Sequence, residues 1–215
     1  MGNNFIGVLV TLLLIFGCMG LALLCARRYP TLSRKIIHIG VSLWYFIYIS
    51  LFTSPVPAVA GLLAFALFNF FVTSRGLFSG HAEGEESRRS WGMVWYPLSV
   101  AAMVLLSHFG IGTTAAFGCG LLGMGWGDGL AALVGSRFGK RRIVGSKTWV
   151  GTVTMLCVVT LICGLLTGLW GMALVCGIVG AVLEAVTPLD LDNISVPLGI
   201  YAVAALWSAY VCCAG

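Results

Sequence analysis

FIGVLVTLLLIFGCMGLALLCA at residues 5–26 is an apolar run without a charged side chain. A helix of about 20 apolar residues crosses the hydrocarbon core of a bilayer, and this run has that length. Comparable runs recur to the end of the chain, and 60% of its 215 residues are hydrophobic while 9% are charged. This composition excludes an ordinary soluble domain. The sequence therefore predicts a polytopic membrane protein.

Outward from this first run, about eight candidate spans follow one another. They cover residues 5–26, 36–52, 56–73, 93–109, 113–126, 150–169, 171–186 and 196–212. No long linker or soluble-sized segment divides the chain. We therefore expect residues 1–215 to form a single integral membrane domain, an all-α bundle of transmembrane helices.

Charge lies on one side of this predicted topology. All 12 lysines and arginines follow spans one, three and five, and every carboxylate lies in or beside an odd-numbered loop. Because short loops rich in Lys and Arg are retained in the cytoplasm, we expect this face to be cytoplasmic. No basic residue precedes the first run, which favours a retained helix over a cleaved signal peptide. The polar segment at residues 74–90 is interpreted as a solvated loop.

A second stretch, GDGLAALVGSRFGKRRIVGSKTWVGT at residues 127–152, predicts a basic, glycine-rich cytoplasmic loop. Glycines such as Gly127 let backbone N–H groups approach an anion, and Arg137, Lys140 and Lys147 supply positive charge. A polyphosphate is the expected ligand. No GxxxxGK[ST] motif occurs, so a P-loop fold is not expected. We also expect no nucleic-acid partner.

Three residues stand where a loop enters the second span. Arg34 and His38 share one helix face with Lys35 beside them, and such a cluster can bind phosphate. The alternative is that Arg34 and Lys35 only set the topology while His38 caps or packs.

Oxygen ligands supply a candidate Mg²⁺ site. Asp128, Asp192 and Asn193 carry the hard donors that Mg²⁺ prefers. The alternative for Asp190, Asp192 and Asn193 is a simple turn. Glu184 indicates function more strongly, because an ionisable group at the margin of a membrane helix is costly. Together the cations, the carboxylates and a proton acceptor are what phosphoryl transfer needs.

Five blocks, in the same order along most of the chain, resemble the polyprenol kinases, a group that includes phytol kinase, dolichol kinase and the CTP-dependent diacylglycerol kinase of fungi. The blocks are RKIIHIG at 34–40, RRSWGMVWYPL at 88–98, GDGLAALVGSRFGK at 127–140, GSKTWVGT at 145–152 and, after Glu184, LDLDNISVPL at 189–198. The resemblance implies an integral membrane enzyme that transfers the γ-phosphoryl group of CTP to the hydroxyl of a lipid alcohol. It implies Mg²⁺ as cofactor.

The resemblance also implies which residues form the site. They are Asp128, Lys140, Lys147, Asp192 and Asn193 for nucleotide and metal, completed by Arg34, Lys35 and His38. Within this set we expect Lys147 to contact the phosphates, and Asp128 and Asp192 to bind Mg²⁺. His38, Glu184 or Asp192 is the expected proton acceptor. Val150 departs from the family pattern, which often has an acidic residue at that position.

Three other functions stay open. KTW-x-G also resembles the CDP-diacylglycerol synthases, which attach CMP from CTP to phosphatidic acid, but their C-terminal lysine–aspartate block is missing here. An anion transporter also uses glycine-interrupted helices, yet the middles of spans one, three and four carry no charge. A structural scaffold would use glycines for helix packing, but it gives no reason to gather acids on the basic side. The pattern favours the kinase.

Overall fold

The computed structural model describes residues 2–26, 28–75, 91–145, 147–188 and 190–214. Over these residues the chain forms nine α-helices. They are α1 Gly2–Ala26, α2 Pro30–Ser42, α3 Trp44–Leu51, α4 Pro55–Ser74, α5 Gly92–His108, α6 Thr114–Phe138, α7 Trp149–Thr167, α8 Trp170–Val186 and α9 Asp192–Ala214. Only Leu43 separates α2 from α3, so the two together form the predicted second span. The predicted all-α bundle is confirmed.

Five of these helices are long and apolar enough to cross a membrane. They are Asn3–Ala26, Pro55–Ser74, Thr114–Phe138, Trp149–Thr167 and Asp192–Cys213. Three apolar stretches are shorter, namely Lys35–Leu51, Gly92–His108 and Trp170–Val186. The eight predicted spans thus correspond to five long and three shorter apolar helices. Exposed leucines cover the outer surface, as lipid-facing helices require, and the chain is a multi-pass membrane protein.

One predicted boundary is wrong. The fifth span was expected to end at Trp126, with the basic stretch beginning as a loop, but α6 continues without a break to Phe138. Gly127 and Asp128 therefore lie inside this helix. Only residues 139–148 form the loop between α6 and α7.

Helix packing explains the error, because the glycines of α6 make room for its neighbours. A Cβ atom at Gly125 would clash with Ser42 in α2, and one at Gly127 would clash with Met155 in α7. Small residues at such contacts let membrane helices approach closely. The glycines of α6 that the sequence predicts to lie in an anion-binding loop, such as Gly127, are therefore packing positions.

The close approach of other helices at its glycines makes α6 the central helix of the bundle. It contacts α2, α7 and α9, and its Phe117 and Met124 are fully buried among side chains such as Val159 and Ile200. Polar side chains on α6 are consequently enclosed by protein on several sides.

The two ends of the bundle carry different chemistry. At one end, the Asn4 side-chain oxygen accepts a hydrogen bond from the backbone N–H of Thr53, beside the Ser54 cap of α4. At the opposite end, which we call the basic end, α1 leads to α2, α6 to α7, and α8 to α9. The predicted solvated loop with Glu83 and its neighbours falls within residues 76–90, which lie outside the described residues.

Candidate active site

The contact between α2 and α6 creates a buried ion pair near the basic end. The Lys35 Nζ atom lies 2.5 Å from Asp128 Oδ2, and His38 Nδ1 lies 3.8 Å from the same oxygen. Asp128 is 5% exposed. Since Gly125 and Gly129 carry no side chains, α2 approaches α6 closely enough for these groups to meet. We call Lys35, His38 and Asp128 the helix cluster.

The loop at residues 139–148 turns its chain inward. The backbone N–H of Ile143 donates to the Lys147 carbonyl at 2.8 Å, and the N–H of Trp149 donates to the Arg141 carbonyl at 3.2 Å. Gly145 has a φ of 55°, in the left-handed region that favours glycine. This small hairpin directs the Lys147 side chain into the bundle, where it is 19% exposed.

Lys147 meets two carboxylates there. Its Nζ atom lies 2.5 Å from Glu184 Oε1 and 3.2 Å from Asp192 Oδ2, and the Thr152 hydroxyl lies 3.5 Å from Glu184 Oε2. Burial by itself lowers the pKa of Lys147, but the surrounding carboxylates, Asp192 foremost, outweigh burial and raise that pKa above its ordinary value. Lys147 is therefore held as an ammonium ion. We call Lys147, Glu184 and Asp192 the loop cluster.

The turn before α9 divides its polar residues between two tasks. Asp190, with a φ of 76°, accepts a hydrogen bond from the backbone N–H of Trp91 at 3.1 Å and so ties this turn to α5. Asp192 instead faces Lys147. The predicted turn and the predicted site thus coexist within three residues.

Asn193 presents an oxygen beside this pair. Its Nδ2 donates to Asp192 Oδ1 at 2.9 Å and to the Asp190 carbonyl at 3.3 Å, which fixes the orientation of the amide because both partners are acceptors. Its Oδ1 is buried without a hydrogen-bond partner among the described residues. A buried, unpaired oxygen is costly, so this atom is suited to receive an external ligand.

Asp128, after Asp192, is among the carboxylates that raise the pKa of Lys147, so the charge of the helix cluster reaches the loop cluster. The chain is 33% identical over 189 residues to a phytol kinase of Synechocystis sp., a match that covers 80% of the chain and 77% of that protein. The chain belongs to the phytol kinase family. This confirms the family predicted from the five sequence blocks, and with it a lipid-alcohol kinase. No family model and no solved structure matches the chain.

The oxygen ligands at the site of this phytol kinase family member can be compared with those that usually coordinate Mg²⁺. No group of three or more His, Cys, Asp or Glu side chains that could hold a metal ion occurs among the described residues. Mg²⁺ in phosphoryl-transfer sites, however, is usually bound by one or two carboxylates together with substrate phosphates and waters. Asp128, Asp192 and the unpaired oxygen of Asn193 fit that requirement, with phosphate oxygens completing the shell.

Two predicted anion-binding residues lie apart from these clusters. Arg137 and Lys140 are exposed at the end of α6 and just beyond it, with the Arg137 guanidinium 5.7 Å from the Phe138 ring centre. Their predicted role stays a prediction. The side chain of Arg34 lies outside the described part of the chain, and Gly127 packs against α7.

Sequence reasoning missed one residue that this family member places at the site. The Tyr96 ring stacks on the His38 ring, with centroids 5.4 Å apart and an angle of 20° between the planes. Tyr96 belongs to the second family block, but a single tyrosine in an apolar helix carries no signal that separates a site residue from a core residue. Only the fold brings it to His38.

Proposed function

We propose that this protein is a CTP-dependent lipid-alcohol kinase. It transfers the γ-phosphoryl group of CTP, with Mg²⁺, to the hydroxyl of a membrane-embedded isoprenoid alcohol at the cytoplasmic face. The observation that carries this proposal is the convergence of two lysine–carboxylate clusters from four helices and one loop into a single buried site. Buried charges are expensive in a membrane protein and mark function by default.

The loop cluster suits the donor phosphates. Lys147 stands just before the N-terminus of α7, and Asp192 is the first residue of α9. Helix N-termini carry partial positive charge and unpaired N–H groups, which favour phosphate oxygens. With one ammonium facing two carboxylates, this cluster also keeps negative charge that attracts a divalent cation.

Asp128, Asp192 and Asn193 would hold Mg²⁺. When bound, the ion neutralises charge on the phosphates and on the leaving group. Lys147 would bind the phosphate oxygens and so orient the nucleotide. These oxygens carry negative charge, as do the carboxylates of Glu184 and Asp192 that Lys147 contacts in the structure.

The helix cluster suits the acceptor hydroxyl. Of the three expected proton acceptors, Glu184 and Asp192 are both engaged by the Lys147 ammonium, at 2.5 Å and 3.2 Å. His38 has the carboxylate of Asp128 beside it instead. We assign proton acceptance to His38, with Asp128 stabilising the imidazolium that forms.

The reaction balances with these groups. The alcohol oxygen forms a bond to the γ-phosphorus as its proton passes to His38, and the bond from the γ-phosphorus to the bridging oxygen of CDP breaks. The products are a lipid phosphate and CDP. The preference for CTP is supported by the family resemblance, and the cytoplasmic orientation by the positive-inside rule.

Transfer of label checks this proposal. Purified protein in detergent is incubated with γ-labelled or α-labelled CTP, with Mg²⁺ or EDTA, and with phytol, a farnesol-type polyprenol or diacylglycerol. We expect γ-label in the isoprenoid alcohols only when Mg²⁺ is present. Unlabelled ATP in excess should compete weakly.

A matched pair of variants on α6 provides the control. Asp128→Asn should abolish labelling, whereas Ser136→Ala, at an exposed position on the same helix, should leave it unchanged. Absence of γ-label from every lipid contradicts the kinase. Entry of α-label into lipid instead indicates cytidylyl transfer, and equal use of ATP contradicts the CTP preference.

A further inference from the structure

An apolar cavity of about 300 Å³ lies inside the bundle, away from the basic loop. Its walls come mainly from α1, α4 and α5, and include Leu12, Ile15, Gly61, Phe65 and Val100. Ligand pockets have volumes of about 300–1,000 Å³ and mostly apolar walls with few polar groups. This cavity falls at the small end of that range.

The inner end of the cavity reaches the helix cluster. Tyr96 lines the cavity together with Val41 and Leu121. The ring of Tyr96 also stacks on the ring of His38. His38 in turn lies 3.8 Å from Asp128. One aromatic pair therefore separates a mostly apolar space from the buried charges of the site.

The flank of the cavity faces the bilayer between α1 and α4. These two helices contact each other only sparsely, whereas α1 packs well on α2. Leu12 is 45% exposed, and Gly61 and Ala64 on α4 are exposed as well. A Cβ atom at Gly61 would meet no heavy atom within 4 Å. An apolar chain can therefore enter sideways without leaving the hydrocarbon region.

We propose that this cavity binds the tail of the acceptor, a single-chain isoprenoid alcohol, with its hydroxyl directed past Tyr96 to His38. The proposal rests on the proposed kinase function. Because bilayer hydrocarbon is as apolar as the cavity, transfer into it brings little hydrophobic gain. The cavity acts by fixing position, which raises the effective concentration of the hydroxyl beside its proton acceptor.

The dimensions favour one chain over two. Along α4 the lining extends from Pro57 to Phe65, a helix distance of roughly 12 Å at about 1.5 Å per residue. A cavity of this size encloses the first part of one branched chain, and the remainder extends between α1 and α4 into the bilayer. The two chains of a diacylglycerol exceed it.

Photo-crosslinking locates the tail without requiring turnover. The probe is a phytol analogue with a diazirine in its tail, applied to the full-length protein in bilayer nanodiscs. We expect labelled peptides from α1 and α4, competition by unlabelled phytol, and little competition by dioleoylglycerol.

Variants at the cavity provide the matched comparison. Gly61→Leu fills the cavity, whereas Gly20→Leu places the same side chain at another exposed glycine of a lipid-facing helix with open space around it. We expect Gly61→Leu to reduce labelling and kcat/KM for phytol about tenfold, the order seen when a pocket loses space for a methylene or more. Gly20→Leu and the KM for CTP should not change, and Ala64→Trp should repeat the effect of Gly61→Leu.

The outcomes separate this inference from the proposed function. Three results would overturn the cavity assignment even when lipid phosphorylation is intact: crosslinks that map elsewhere, crosslinks that unlabelled phytol does not reduce, and crosslinks that persist in both Gly61→Leu and Ala64→Trp. In each case an ordinary bilayer lipid would fill the space. Equal competition by dioleoylglycerol overturns the single-chain assignment. Cavity labelling as expected supports the assignment, and a failure of γ-label transfer in the same preparation would then refute the kinase alone.

Discussion

The two lysines of the site are held in opposite ways. Lys35 lies on a helix whose position is set by close packing against glycines of α6, and it faces one carboxylate. Lys147 lies on a ten-residue loop, residues 139–148, and faces two carboxylates that draw it inward. The helix cluster is therefore arranged by the fold itself, while the loop cluster is arranged by charge. This difference suggests a division of labour between acceptor and donor.

The largest effect should come from Asp128→Asn. The amide keeps the shape but removes the charge that supports His38 and pairs with Lys35, so we expect kcat to fall about 10⁴-fold, the upper range for loss of acid–base support. Kinetics with γ-labelled CTP measure this change. A normal gel-filtration profile in detergent should accompany the loss, and a wild-type rate would refute the site assignment.

Lys147→Ala should break the loop cluster in a different way. Two buried carboxylates lose their counter-ion, so we expect activity to fall about 10³-fold, as for other cations on a transferred phosphate. Stability should fall by about 3 kcal/mol, the lower end for a broken buried pair, because Lys147 is partly exposed. Activity and thermal unfolding in detergent measure the two effects.

A double variant separates these two consequences. Lys147→Ala combined with Glu184→Gln removes one of the uncompensated charges, so unfolding temperature should recover while activity stays low. Recovery of both would show that Lys147 serves only to hold the loop. Since the carboxylates raise the pKa of Lys147 above its ordinary value of 10.5, the charge of Lys147 stabilises the fold fully below about pH 10.5, and this stabilisation is lost as the pH rises through the raised pKa.

His38→Gln should have an intermediate effect confined to the chemical step. Without the imidazole we expect kcat to fall about 10²-fold, with the KM for CTP unchanged because the loop cluster is intact. The wild-type pH–rate profile should show an ascending limb that the variant lacks. An identical limb in both proteins would assign proton acceptance to another group.

The smallest effect should come from the exposed cations beyond the clusters. Lys140→Ala or Arg137→Ala removes a charge that is screened by solvent and worth at most about 1 kcal/mol. We expect the KM for CTP to rise a few-fold at low ionic strength and to return to the wild-type value in high salt, as screening predicts. A salt-independent loss of kcat would instead bring these residues into the site.

Much of this arrangement could be predicted from the sequence because it depends on one-dimensional signals. Apolar length identified the spans, and the placement of charges brought Lys35, Asp128, Lys147 and Asp192 to one face. The extension of α6 could not be predicted, because glycine is frequent both in loops and at helix contacts. Tyr96 was missed since its role depends on a stacking partner, His38, that is distant in the chain. The single-domain organisation and Mg²⁺ stay predictions.

The glycines of α6 have a consequence for how such an enzyme can be retuned. Because Gly125 and Gly129 have no side chains, α2 lies close against α6, and this close approach sets the distance between Lys35 and Asp128. A methyl group at Gly125 would clash with the Ser42 side chain and the His38 carbonyl, and would therefore push α2 away from α6 and separate Lys35 from Asp128 without replacing a charged residue. Substitution of Gly125 would thus alter the proposed site from within the packed interior of the bundle rather than from its surface.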